Sequence, residues 1–189
     1  MPQRLWLGLM ALLLGAALFM GRGYVGPFVS THAREVLGRL NPGSAAAAGI
    51  RSGIVTRIID GDSIVVEDRE EIRLLGIDTP EFGRPFFHES TARTRALLYG
   101  KEVRIKECRR QPRDKYGRTL ALIYADKILV NAELVKEGLA RAYHIPPCGS
   151  EIASDFRRYQ RQARDRRFGF WATYTFEEVF PPRQPRRRN

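Results

Sequence analysis

The sequence predicts a mixed α+β domain, mainly β: a small barrel of short strands with three helices, not a doubly wound sheet. Five or six β-branched-rich runs of three to seven residues fall between residues 53 and 143. The helical patterns between them are irregularly placed, whereas the crossovers of a doubly wound sheet would follow every strand. Length supplies the bound: 189 residues make one ordinary domain with appendages and are too few for two full-sized cores.

Residues 5–20 form an unbroken run of apolar or small residues between Arg4 and Arg22. As a helix, 16 residues at about 1.5 Å each span roughly 24 Å, short of a hydrocarbon core of about 30 Å. Residues 1–21 therefore read as either a secretory signal peptide or a short membrane anchor. Gly15-Ala16-Ala17 offers small residues for cleavage, while Leu18-Phe19-Met20 prolongs the apolar stretch. Both readings carry the rest of the chain out of the cytoplasm, secreted or anchored to the outer side of the cytoplasmic membrane. Residues 22–49, interrupted by Gly23, Gly26, Pro27 and Asn41-Pro42-Gly43-Ser44, read as a linker.

From residue 53 the apolar period becomes that of strands. Residues 53–59 and 63–67 flank Asp60-Gly61-Asp62, a strong hairpin turn. Residues 72–77, 103–107, 120–124 and 141–143 are the further strands. One helix, residues 88–99, stops at Gly100 as its C′ residue. A second, residues 131–137, has Asn131 as N-cap and Gly138 as stop. The third, residues 150–168, lines up Ile152, Phe156, Tyr159 and Ala163 on one stripe and carries Arg157, Arg158, Arg161, Arg164, Arg166 and Arg167 on its other faces. The folded domain is placed at residues 50–174, with residues 175–189 as a basic Pro/Arg tail.

The charge narrows the partners. Thirty-two Lys and Arg against 21 Asp and Glu leave +11, so a polyanion is the leading class of partner. Residues 150–189 hold 10 basic and 5 acidic groups, which makes the end of the chain its electrostatic handle. Twenty-seven of the basic residues are Arg, whose planar fork binds phosphate in bidentate fashion. High genomic G+C content would enrich Arg as well.

Acidic groups fall at strand ends. Asp62 follows the hairpin glycine, and Asp78-Thr79-Pro80-Glu81 follows the strand at 72–77. Either aspartate alone would pass as a turn carboxylate. Together they say more, because Pro80 lacks an N–H and turns the chain out of the ladder. Asp78, the carbonyl of Thr79 and Glu81 then share one corner, an oxygen-only donor set suited to a hard cation such as Ca²⁺ or Mg²⁺. With three His and two Cys in the chain, zinc has little to bind. A phosphodiester is the matching substrate: its hydrolysis needs activated water, a cation on the non-bridging oxygens and donors for the growing charge. Arg73 precedes Asp78 by five residues, so it leaves the opposite face unless the chain bends, and Gly76 is the place for that bend. Arg118 closes the loop Asp114-Lys115-Tyr116-Gly117-Arg118, in which Tyr116 could stack on a base or sugar.

Four stretches in order, Ile59-Asp60-Gly61-Asp62-Ser63, Arg73-Leu74-Leu75-Gly76-Ile77-Asp78-Thr79-Pro80-Glu81, Asp114-Lys115-Tyr116-Gly117-Arg118 and Asn131-Ala132-Glu133-Leu134-Val135 with Gly138-Leu139-Ala140, resemble the motifs of the staphylococcal nuclease (thermonuclease) family. The resemblance covers roughly residues 52–172. It implies a five-stranded OB-fold barrel with helices that hydrolyses DNA and RNA with Ca²⁺. It makes Asp62, Asp78 and the Thr79 carbonyl the calcium ligands, and Arg73 and Arg118 the phosphate and transition-state donors. Glu81 becomes the general base on the attacking water or the group that orients it. Lys115, Tyr116 and Tyr143 would line the nucleotide pocket.

The sequence departs from the family pattern at Ser63, which replaces the usual Thr, and in the loop Phe82-Gly83-Arg84-Pro85-Phe86-Phe87, which is short, aromatic and free of lysine. In the implied fold the exits bearing Cys108 and Cys148 lie side by side, and outside the cytoplasm a pair of cysteines is more often bridged. The expected protein is a monomeric, extracytoplasmic, metal-dependent nuclease of broad sequence tolerance. The competing class is a non-catalytic nucleic-acid-binding module on the same barrel, which has no physical need to keep two ligands, a base and two arginines together.

Overall fold

In the computed structural model, which describes residues 49–182, one sheet closes on itself. Strand β1 (Ile50–Ile58) runs antiparallel to β2 (Ser63–Val66) across the Asp60-Gly61-Asp62 turn, with Ile58 opposite Ile64. β2 is antiparallel to β3 (Glu70–Leu74), with Ser63 opposite Arg73. On the other side β1 pairs with β5 (Glu102–Glu107), and β5 with β6 (Thr119–Ala125). A parallel pairing of β3 with β6, Ile72 opposite Thr119, completes the barrel. These five strands are the OB-type barrel expected from the sequence. The short β7 (Ile128–Leu129) extends β6, while β4 (Ile77–Asp78) and β8 (Arg141–Ala142) form a separate two-stranded pair.

Alternation places Val103 and Ile105 of β5 inside the barrel. They meet Val55, Ile64, Ile72, Leu74 and Ile123, all essentially buried. Side chains of this size each stabilise the fold by about 1.5–3 kcal/mol when removed from water. Helix α1 (Phe87–Leu98) adds Leu97 and Leu98 to this core, α2 (Val130–Lys136) adds Leu134 and Val135, and α3 (Ser150–Asp165) adds Phe156.

Several boundaries differ from the sequence reading. β1 starts at Ile50 because Ile50–Ile54 pairs with Lys106–Glu102. The strand expected at 72–77 breaks into β3 and β4 at Gly76, whose φ of 80° turns the chain. α3 ends at Asp165. Asn131 is not an N-cap: it lies inside α2, after Leu129, fully buried. Its side chain accepts from Ile123 N–H at 2.9 Å and donates to the carbonyls of Leu75 (2.9 Å) and Ala121 (3.2 Å). A buried strand and the chain corner claim the amide that the sequence assigned to a helix end.

Packing also continues beyond residue 174, where the sequence placed the end of the domain. Thr175 and Glu178 form a capping box on a helical turn, Phe176–Val179, and Val179 and Phe180 are buried with Phe170. Among the described residues no helix is long and apolar enough to cross a membrane. The expected signal or anchor at 1–21, most of the linker, and the tail arginines Arg183, Arg186, Arg187 and Arg188 lie outside the described residues.

Candidate active site

The β1–β2 turn carries the first carboxylates. Asp62 N–H bonds Asp60 Oδ1 at 3.0 Å, and Thr94 of α1 donates to the Gly61 carbonyl at 2.6 Å. A Cβ at Gly61 would stand 2.8 Å from the Thr79 side chain and 2.9 Å from Ser90, so only glycine lets the turn lie against the corner after β4. Asp62 thereby reaches the Thr79 N–H with Oδ2 at 2.7 Å, while its Oδ1 accepts from Ser63 Oγ at 3.2 Å.

The bend at Gly76 brings Arg73 round to the same place. Its Nη1 donates to the carbonyls of Leu74 (2.9 Å) and Ile77 (3.0 Å). Its Nη2 lies 3.0 Å from both Asp62 Oδ2 and Asp78 Oδ1. Burial pushes the Asp62 carboxyl up to about 7; Arg73 opposes that shift, and the neighbouring charges of Asp60 and Asp78 add to it. Six carboxylates (Asp60, Asp62, Glu71, Asp78, Glu81 and Asp114) line the pocket against three cations (Arg73, Lys115 and Arg118), so negative charge is in surplus there. Sequence reasoning did not identify Arg141 as a partner of Asp78. It stands opposite Asp78 in the β4–β8 pair and binds Asp78 Oδ2 through Nε (3.0 Å) and Nη2 (2.7 Å). A two-residue strand leaves almost no period to read, and the pairing partner lies 63 residues away.

The loop after β5 supplies the opposite wall. Asp114 accepts Arg118 Nε at 2.8 Å and the backbone N–H groups of Tyr116 (2.9 Å) and Arg118 (3.0 Å). Burial raises the Asp114 carboxyl, but these bonds outweigh it and hold it below its ordinary value. Arg118 Nη1 reaches Ser63 Oγ at 3.4 Å. The Tyr116 ring, 64% exposed, has the Lys115 ammonium 4.9 Å and the Arg118 guanidinium 5.5 Å from its centroid. Cys108 and Cys148 are joined in a disulfide with Cα atoms 5.8 Å apart, which ties the start of this loop to the segment preceding α3.

These walls enclose a cleft of about 900 Å³. Asp62, Arg73, Asp78, Thr79, Glu81, Lys115, Tyr116, Arg118 and Tyr143 all line it, so the structure brings every expected catalytic, metal-binding and substrate-binding residue into one concavity. Glu81 is exposed at its edge. Among the described residues no three carboxylates, imidazoles or thiolates converge as a metal-binding group. A cation would need the Thr79 carbonyl as well as Asp62 and Asp78. Hard oxygen donors and surplus negative charge suit Ca²⁺ or Mg²⁺.

Relatives of this chain bear nuclease names. The family described as "Staphylococcal nuclease homologue" matches residues 71–173. The thermonuclease of Staphylococcus intermedius is 36% identical over 129 residues, covering 64% of this chain and 76% of the relative. The micrococcal nuclease of Shigella flexneri is 35% identical over 138 residues, 67% of this chain and 76% of the relative. Endonuclease YncB of Bacillus subtilis is 30% identical over 125 residues, 61% and 59% of the two chains.

Proposed function

The chain belongs to the staphylococcal nuclease family, and from that premise we propose that it is a Ca²⁺-dependent nuclease that hydrolyses DNA, RNA or both with little sequence specificity. The observation that carries the reading is the single cleft in which two arginines face two buried aspartates, with an exposed glutamate at the edge. A Ca²⁺ held by Asp62, Asp78 and the Thr79 carbonyl would neutralise the non-bridging phosphate oxygens.

The chain's own groups would do the rest. Asp114 holds the plane of Arg118 through Nε and Nη2, which leaves Nη1 turned toward Ser63 and available to a phosphate oxygen. Arg73, tied to two carbonyls, presents its fork from the other side. Glu81 makes no hydrogen bond through its side chain to a described residue, so its carboxylate is available to orient water and take its proton. Tyr116 offers a face for a base or sugar and reads no sequence, as phosphate contacts also do not.

The protein would act as a monomer outside the cytoplasm, secreted or held to the membrane through residues 5–20; the Cys108–Cys148 bridge supports an oxidising location. Digestion of single- and double-stranded DNA and RNA by the full chain, with Ca²⁺, with Mg²⁺ and with chelator, tests the proposal. Binding without hydrolysis in every arm would instead support a non-catalytic nucleic-acid module.

A further inference from the structure

Beside the cleft lies a second concavity of about 420 Å³ that shares Glu71, Tyr116 and Arg118 with it. Three more arginines line it: Arg51, Arg69 and Arg113. Their partners separate them into two kinds. Arg51 is spent on Glu70 and on Glu107, the latter at 2.6 Å. Glu70 is further held by Thr119 Oγ1 at 2.6 Å, and among the described residues it makes no ion pair with Arg69 or Arg113. Arg113 uses one N–H on the Gly117 carbonyl at 2.8 Å, and among the described residues neither it nor exposed Arg69 makes an ion pair. Glu71, the other carboxylate of the wall, leans toward Arg118 at 4.0 Å. Two guanidinium forks therefore face an open hollow with no carboxylate of their own.

From this we infer a second phosphate subsite, in which Arg69 and Arg113 hold the backbone phosphate of the nucleotide next to the one seated in the cleft. The hollow falls in the range of about 300–1,000 Å³ usual for ligand sites, and its continuity with the cleft past Tyr116 gives a strand a path from one to the other. Arg51, also in the lining, is fixed by two carboxylates. The inference rests on the nuclease reading for the identity of the strand and makes the site one for polynucleotides.

The test is fluorescence anisotropy of the full chain with a labelled 12-nucleotide oligo(dT), in chelator so that nothing is cut, across a series of salt concentrations. Arg69→Gln with Arg113→Gln should weaken binding by about tenfold at low salt and flatten the slope of log K against log[salt] by about 0.7 for each phosphate no longer neutralised. Binding of thymidine 5′-phosphate, which fills the cleft alone, should change less than about twofold. The control pair Arg57→Gln with Arg95→Gln removes the same charge from residues that line neither concavity. Unchanged oligonucleotide affinity, an equal loss in the control pair, or an equal loss on the mononucleotide would overturn the subsite. Absence of hydrolysis by the unmodified chain with Ca²⁺ would overturn the nuclease reading, and the binding measurement would still decide the subsite.

Discussion

Arg141 binds Asp78 Oδ2 at 2.7 Å while the ring of Phe180 lies 4.5 Å from its guanidinium carbon. The rings of Tyr143 and Phe176 stand at 5.0 and 5.4 Å from the same carbon. Through this one side chain the C-terminal helical turn braces a carboxylate of the cleft, because an aromatic face holds a desolvated cation in place and the cation in turn orients its partner.

Arg141→Met should therefore lower Ca²⁺ affinity or turnover by about 10–100-fold, the usual effect of removing the group that orients a ligand. Arg141→Lys keeps the charge and loses the second N–H, so it should fall between the two. Calorimetric Ca²⁺ titration alongside kinetics measures this, and an unchanged affinity together with unchanged turnover would refute the bracing role.

Arg118→Lys keeps a cation and loses the fork that Asp114 holds. Loss of a single transition-state donor typically costs about 10²–10³ in rate, and that range is expected in kcat. Glu81→Gln should lose at least as much while the thermal midpoint stays put, since Glu81 is exposed. Full activity in Glu81→Gln would remove it from the mechanism.

The Asp114 carboxyl is held below its ordinary value of 3.8. A carboxyl depressed in the folded state contributes stability above its unfolded pKa and loses it as pH falls through the folded one. The gap in thermal midpoint between the native chain and Asp114→Asn should thus be full above about pH 4 and close below it. A gap independent of pH down to strong acid would show that charge at Asp114 contributes nothing.

The Cys108–Cys148 bridge closes a loop of sequence separation 40. Its removal by Cys108→Ser with Cys148→Ser should cost about 4 kcal/mol on the chain-entropy estimate, a large share of the roughly 5–15 kcal/mol that holds a domain together. Urea denaturation reads the loss. Alkylation of the native protein without reductant should add no mass, and two added alkyl groups would show free thiols.

The sequence by itself determined what neighbours along the chain decide. Alternating β-branched residues marked the barrel strands, Asp60-Gly61-Asp62 marked the hairpin, and Pro80 after Asp78 marked the corner, because backbone period and turn chemistry act over a few residues. Asp62, Glu81 and Arg118 were legible for the same reason, since each sits in such a turn or loop, while Arg73 and Asp78 lie on the two short strands that the bend at Gly76 separates. Tertiary structure alone decided which distant groups meet. Barrel closure sets Ile72 beside Thr119, Asn131 serves β6 and Leu75 instead of a helix end, and Arg141 reaches Asp78 across 63 residues. Polar side chains satisfy whichever donors and acceptors packing leaves nearest, and that competition is settled only when the barrel closes and its backbone groups are removed from water.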